Sequence, residues 1–196
     1  NGLVQSQLRQ PAAPETGVPP VNKITIVYGT ETGNSKRLAT DFATKAKQHH
    51  IHAKVIGMDQ YRLTDLPKEE YLLAVISTHG EGEPPLAAKK FYDHIHQNGF
   101  KLDKLKYSVL ALGDTSYPLY CKTGEEVDEQ LNMLGGVRIA PLQKCDVEYD
   151  DDANGWFNEV LEKLSNKKSD LSPVVAPVIT ILPVAKKTGK QTYTGT

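Results

Sequence analysis

The stretch KITIVYGTETGNS, Lys23 to Ser35, decides the fold. Its first half, Lys23 to Tyr28, is a short apolar strand. Its second half, Gly29-Thr30-Glu31-Thr32-Gly33-Asn34-Ser35, contains neither an apolar run nor a lysine. Lys36 to Gln48 follows with Leu38, Phe42 and Ala46 at helical spacing. A strand, a polar glycine-containing loop and a helix in this order place backbone N–H groups at a helix start, where they can meet an anion. Thr30, Thr32 and Ser35 add hydroxyls, Asn34 an amide, and Gly33 lets backbone approach closely. Without an internal lysine the loop is not GxxxxGK[ST], and without three glycines it is not GxGxxG. Neutral donors of this kind suit one terminal phosphate that is held and never transferred. A plain helix-capping turn is the alternative.

The same alternation continues outward. Ala53 to Met58, Tyr71 to Ser77, Tyr107 to Leu112 and Val137 to Leu142 read as strands. Leu86 to Gln97, Glu125 to Leu134 and Ala153 to Leu164 read as helices, with Gly135-Gly136 as a C-cap. The unbroken apolar run YLLAVIS, Tyr71 to Ser77, fits a strand covered on both faces. Five strands alternating with helices predict an α/β doubly wound parallel sheet of order 2-1-3-4-5 in a three-layer α/β/α arrangement. Residues 22–166 would form this domain. Residues 1–21, with four prolines, read as a linker or helix remnant. Residues 167–196 read as a linker running into a second domain cut short, or as an ordered tail packed on the core.

Ligands of such sheets sit beyond the carboxyl ends of the strands at the switch point. Two further loops lie there. Ser77-Thr78-His79-Gly80-Glu81-Gly82-Glu83-Pro84-Pro85 is shaped by two glycines and two prolines, and suits close backbone approach to the edge of a planar ring. Leu112-Gly113-Asp114-Thr115-Ser116-Tyr117-Pro118-Leu119-Tyr120-Cys121 offers Tyr117 and Tyr120 for stacking on a flat ligand. Together the three loops describe a phosphate pocket beside a slot for a flat aromatic ring.

Composition narrows the function classes. The 196 residues carry a formal net charge of −1, which gives no sign of nucleic-acid binding. No run reaches the ~20 apolar residues of a membrane span. Two cysteines, Cys121 and Cys145, make no disulfide framework, and free thiols fit a cytoplasmic location. Five carboxylates in seven residues, Asp146 to Asp152, together with Glu125, Glu126, Asp128 and Glu129, form either a solvated face or a docking rim for a basic partner. The spacing of DVEYDDD is not that of a calcium loop. His49, His50 and His52 are read as surface histidines, and no metal site is expected.

The loops TETGNS, STHGEGEPP and LGDTSYPLYC resemble the three FMN-binding segments of the flavodoxin-like domain of diflavin reductases. Within that family they are most similar to the flavoprotein (alpha) component of NADPH-dependent sulfite reductase. The resemblance covers Lys23 to Leu164 and includes DVEY at Asp146 to Tyr149. It implies that Thr30 to Ser35 hold the FMN phosphate and that Ser77, Thr78, His79 and Gly80 line the ring edge. Leu112 to Cys121 would flank the ring and ribityl chain, with Tyr117 stacked on the isoalloxazine. Asp146 joins this cofactor-binding set. Gly80 matches a residue whose peptide reorients towards flavin N5. His79 is a departure, since relatives more often carry Gln, Tyr or Phe there. An imidazole at that point would make the reduction potential pH-sensitive; a solvated loop histidine is the alternative.

The implied function is FMN-dependent electron transfer, with no side chain acting as a catalytic group. NADPH and FAD would belong to the full-length protein's own reductase domain. A haem or iron–sulfur acceptor, such as the sulfite reductase hemoprotein, would receive the electrons. The alternatives are a self-contained FMN-dependent NAD(P)H quinone reductase, or an FMN domain serving another haem protein.

Overall fold

A computed structural model describes residues 21–97 and 99–165. The flanking segments expected at 1–21 and 167–196 lie outside the described residues, Val21 excepted. The element order is β1 (Lys23–Gly29), α1 (Asn34–Gln48), β2 (His52–Gly57), β3 (Tyr71–Ser77), α2 (Lys89–Ile95), β4 (Lys106–Leu112), α3 (Lys122–Met133), β5 (Val137–Arg138), β6 (Gln143–Cys145) and α4 (Asp150–Ser165). The strands pair in parallel in the order 2-1-3-4-5, with β6 also pairing β4.

Period-two alternation divides the apolar residues of the central strands between two cores. Ile24 and Ile26 of β1, Leu73 and Val75 of β3, and Leu110 and Leu112 of β4 pack under α1 and α4. Phe42 of α1 stacks on Phe157 of α4 with ring centroids 4.4 Å apart. On the other face Val27, Leu72, Ala74, Ile76, Tyr107 and Val109 meet Phe91 and Ile95 of α2 and Val127 and Leu131 of α3. Fully burying each such large side chain contributes roughly 1.5–3 kcal/mol. The two covered faces explain why β3 and β4 lack polar alternation. Polar exceptions are satisfied: Ser108 donates to Ala140 O and accepts from the Trp156 indole, and the Tyr107 hydroxyl donates to Asp128 O.

Several element boundaries depart from the sequence expectation. The fifth strand is split into β5 and β6, with Pro141, which has no N–H for a ladder, in the gap. The expected helix from Leu86 starts as a 3-10 turn, Leu86–Ala88, because the Leu86 amide is held by Glu31 and Ala88 bonds back to Pro85 O. That helix also ends earlier, at Ile95. α4 begins three residues early, its first turn filled by Asp150, Asp151 and Asp152, which favour the positive helix end. α3 likewise starts at Lys122 rather than Glu125. Its other end is capped as expected. Gly135 (φ 104°) and Gly136 donate to Asn132 O and Leu131 O, closing a Schellman turn. A 3-10 turn at Leu63–Lys68 was not foreseen.

Candidate functional site

The carboxyl ends of β1, β3, β4 and β6 open onto a cleft of about 560 Å3, a size usual for small-molecule sites. Four loops wall it.

The loop after β1 divides its residues between shaping and lining. The Thr30 hydroxyl accepts the Gly33 amide at 2.9 Å and closes the turn. Gly33 then turns the chain into α1 with a left-handed φ of 93°. Thr32 and Asn34 line the cleft. Glu31 faces away, accepting the Leu86 amide at 2.7 Å, and so ties this loop to the next one. Ser35 is fully buried behind the loop. Its hydroxyl is the one buried side-chain polar atom, among the described residues, without a hydrogen-bond partner. The first turn of α1 carries no carboxylate, whereas that of α4 carries three. The positive end of α1 is therefore not neutralised by the chain itself.

The loop after β3 is a tight hairpin. His79 and Glu83 exchange both backbone bonds, at 2.8 and 2.9 Å, around Gly80 and Gly82 at φ 52° and 101°. Ser77, Thr78, His79 and Gly80 line the cleft. The Thr78 amide donates to Leu112 O and its hydroxyl accepts the Thr123 amide.

The loop after β4 is braced from within. Asp114 accepts from the amide and hydroxyl of Ser116. Asp146 accepts from the amide and hydroxyl of Thr115 and from the Val147 amide. The Thr115 hydroxyl and these amides hold the Asp146 carboxyl below the usual carboxylate range. Thr115, Ser116, Pro118 and Asp146 do not line the cleft; Leu112, Gly113, Asp114, Tyr117, Leu119, Tyr120 and Cys121 do. Tyr117 is 59% exposed on the rim. Gly113 is required sterically, since a Cβ there would stand 2.8 Å from the Cys121 backbone nitrogen. Cys121 and Cys145 are buried and unpaired, and burial pushes their thiols up to about 11 and about 12. Both stay protonated at neutral pH, which leaves neither as a ready nucleophile.

Val147 and Tyr149 complete the wall and were not foreseen as lining residues. Their signal was present in the DVEY segment, of which only Asp146 was singled out. Arg37 of α1 lies 5.4 Å over the Tyr149 ring and pairs with Asp150. The acidic surface is smaller than its composition suggests. Glu125, Glu126 and Asp128 pair with Lys144, Lys122 and Arg138, while Glu129, Glu148, Asp151 and Asp152 remain exposed. Among the described residues no group of three or more His, Cys, Asp or Glu could hold a metal, and no helix is long and apolar enough to cross a membrane.

A parallel 2-1-3-4-5 sheet with this cleft at its carboxyl edge defines a flavodoxin-type protein. The flavodoxin family signature matches residues 26–156, and the chain belongs to that family. Its described fold superposes on a short-chain flavodoxin associated with a non-canonical PDU bacterial microcompartment, with a TM-score of 0.66 and 25% identity over 75% of this chain and 99% of that one. Flavodoxin 1 from Bacillus cereus gives a TM-score of 0.58 at 20% identity, covering 74% of this chain and 98% of the other.

More particularly, the chain is 40% identical over 184 residues to the sulfite reductase [NADPH] flavoprotein alpha-component of Bacillus subtilis strain 168, covering 93% of this chain and 29% of that protein. It is 39% identical over 165 residues to the same component from Thiocapsa roseopersicina, covering 84% of this chain and 31% of that one. The chain thus spans about 30% of the length of the curated relatives it matches. Family membership makes FMN the cofactor of this domain. The residues present fit it: a buried hydroxyl without a partner, a helix start without a carboxylate, and an aromatic ring on the cleft rim.

Proposed function

We propose that the chain is the FMN domain of a longer diflavin reductase of the sulfite reductase flavoprotein type. The carrying observation is the partnerless Ser35 hydroxyl at the carboxylate-free start of α1, behind a cleft rimmed by Tyr117. Thr32, Asn34 and Ser35 would hold the FMN phosphate, with Thr30 and Gly33 shaping the turn and Glu31 tying it to the loop after β3. Ser77, Thr78, His79 and Gly80 would meet one ring edge. Tyr117 and Tyr120 would flank the ring plane, while Asp146 steadies their loop through Thr115. Bound there, FMN supplies the chemistry, taking and giving electrons one at a time. The side chains would bind and orient it; none is assigned a role as acid, base or nucleophile.

In the longer protein, electrons would come from NADPH through an FAD-binding part. They would leave to a haem or iron–sulfur acceptor, the sulfite reductase hemoprotein being favoured by the names of the relatives. Exposed Glu148, Asp151 and Asp152 would steer a basic partner towards the cleft. Two unpaired thiols favour a cytoplasmic setting.

An absorbance titration with FMN, followed by NADPH, tests the reading. The expected protein turns yellow, is not bleached by NADPH alone, and is bleached once an FAD-containing NADPH reductase is added. Bleaching by NADPH alone would instead identify a self-contained quinone reductase. A protein that stays colourless after FMN is added would refute flavin binding.

A further inference from the structure

We propose that Thr123, at the start of α3 and outside the cleft wall, is the positioning residue that shapes the hairpin after β3 and thereby sets FMN affinity and potential. The proposal rests on the FMN reading above.

The hairpin tip, His79 to Glu83, is exposed apart from Gly82 and carries no apolar side chain that could anchor it. Two of its five residues are glycines at positive φ, so the tip has little conformational preference of its own. The His79–Glu83 bridge closes the hairpin but does not fix it to the domain. Thr123 does so on both arms. Its amide donates to Thr78 Oγ1 at 3.2 Å on the arm leaving β3. Its hydroxyl donates to Gly82 O at 3.2 Å on the returning arm. Gly80 sits midway between these two points, so one residue of α3 sets the span across which the Gly80 peptide is held.

The grip is strong for two reasons. Thr123 is fully buried, so water does not compete for the bond from its hydroxyl to Gly82 O. The back of Gly82 is packed on Leu119 and Lys122 so closely that an added Cβ would lie 2.9 and 2.8 Å from their side chains, which blocks retreat of the arm. There is also a chemical consequence in the cleft. Because Thr78 Oγ1 accepts the Thr123 amide, its single proton is left as a donor, and Thr78 lines the cleft. The Thr123 amide is itself one of the helix-start N–H groups without an intrahelical partner, which explains why α3 begins three residues before its sequence signal.

Thr123→Val keeps the side-chain shape and removes the hydroxyl; Thr123→Ser keeps the hydroxyl. In the full chain, Thr123→Val is expected to raise the FMN Kd about tenfold, the equivalent of about 1.4 kcal/mol. It should also move a one-electron potential of the bound flavin, and speed exchange of the Glu83 amide about tenfold in FMN-free protein. Thr123→Ser should restore all three to within about twofold. If Thr123→Val does not fold, the smaller Thr123→Ala serves with the same expectations. A valine variant that melts earlier, yet keeps wild-type Kd and potential, would reduce Thr123 to a helix-stabilising residue and overturn the proposal. A wild-type chain that binds no FMN would refute the flavin reading instead. Glu83 exchange then decides alone, and unchanged exchange refutes the hold on the hairpin.

Discussion

Ser35→Ala separates a phosphate ligand from an ordinary buried serine, because the two roles predict opposite signs. The Ser35 hydroxyl is fully buried and has no partner within the protein. A buried polar group left unsatisfied costs ~1–3 kcal/mol. Ser35 also lies in the first turn of α1, where alanine is the better helix former by up to ~0.7 kcal/mol. Removing the hydroxyl should therefore stabilise the FMN-free chain by about 1–2 kcal/mol, after allowing for the lost atom's packing contacts. For a domain of this size that raises the melting temperature by roughly 2–8 °C.

With FMN present the sign reverses. A hydrogen bond to a charged group contributes about 1.5–3 kcal/mol, so its loss should raise the Kd roughly 10- to 160-fold. Stabilising the free chain and weakening the complex act on the Kd in the same direction. The assays are thermal denaturation of FMN-free protein and titration of FMN fluorescence against wild type and variant. A lower melting temperature together with an unchanged Kd would show that the hydroxyl is structural and that the phosphate sits elsewhere.

Three further outcomes follow from the same geometry. Tyr117→Ala removes a 59% exposed ring, so denaturant midpoints should stay within about 0.5 kcal/mol of wild type. Its FMN affinity should nevertheless fall by ~0.5–1.5 kcal/mol of lost stacking, and equal affinities in the two proteins would remove Tyr117 from the ring. Gly113→Ala forces a methyl against the Cys121 backbone at 2.8 Å, and overpacking of that kind costs about 1–3 kcal/mol, readable as a lower urea midpoint. Asp146 carries a lowered carboxyl pKa because Thr115 and the Val147 amide bond its ionised form. Its stabilisation is fully present above the unfolded value of about 3.9 and is lost as pH falls through the lower folded value. Wild type should therefore exceed Asp146→Asn in stability at pH ~7, with the gap closing below pH ~4. A gap that stays constant down to pH ~2 would exclude ionised Asp146 as its source.

The parts of this molecule legible in the chain were those governed by local chemistry. Tyr71 to Ser77 reads as a strand covered on both sides because seven apolar or small residues in a row leave no face for water. The parallel, doubly wound character of the sheet follows from the alternation of strand and helix. The loop at Thr30 to Ser35 reads as a candidate anion site because strand, glycine and helix start are contiguous, and the helix start is polar whatever surrounds it. Even the Schellman end of α3 is written in Gly135-Gly136.

What the chain alone left open depends on groups distant in sequence. The start of α3 is set by Thr78, 45 residues away from Thr123. The 3-10 entry into α2 is held by Glu31, 55 residues before Leu86. Thr115 and Asp146 meet across 31 residues, a brace that sequence spacing does not reveal. The paired state of Glu125, Glu126 and Asp128 likewise needed Lys144, Lys122 and Arg138 in place before the acidic rim could shrink to Glu129, Glu148, Asp151 and Asp152. Sequence spacing reports which donors and carboxylates exist. Only the packed fold decides which of them are already satisfied within the protein, and so which remain for a ligand or a partner.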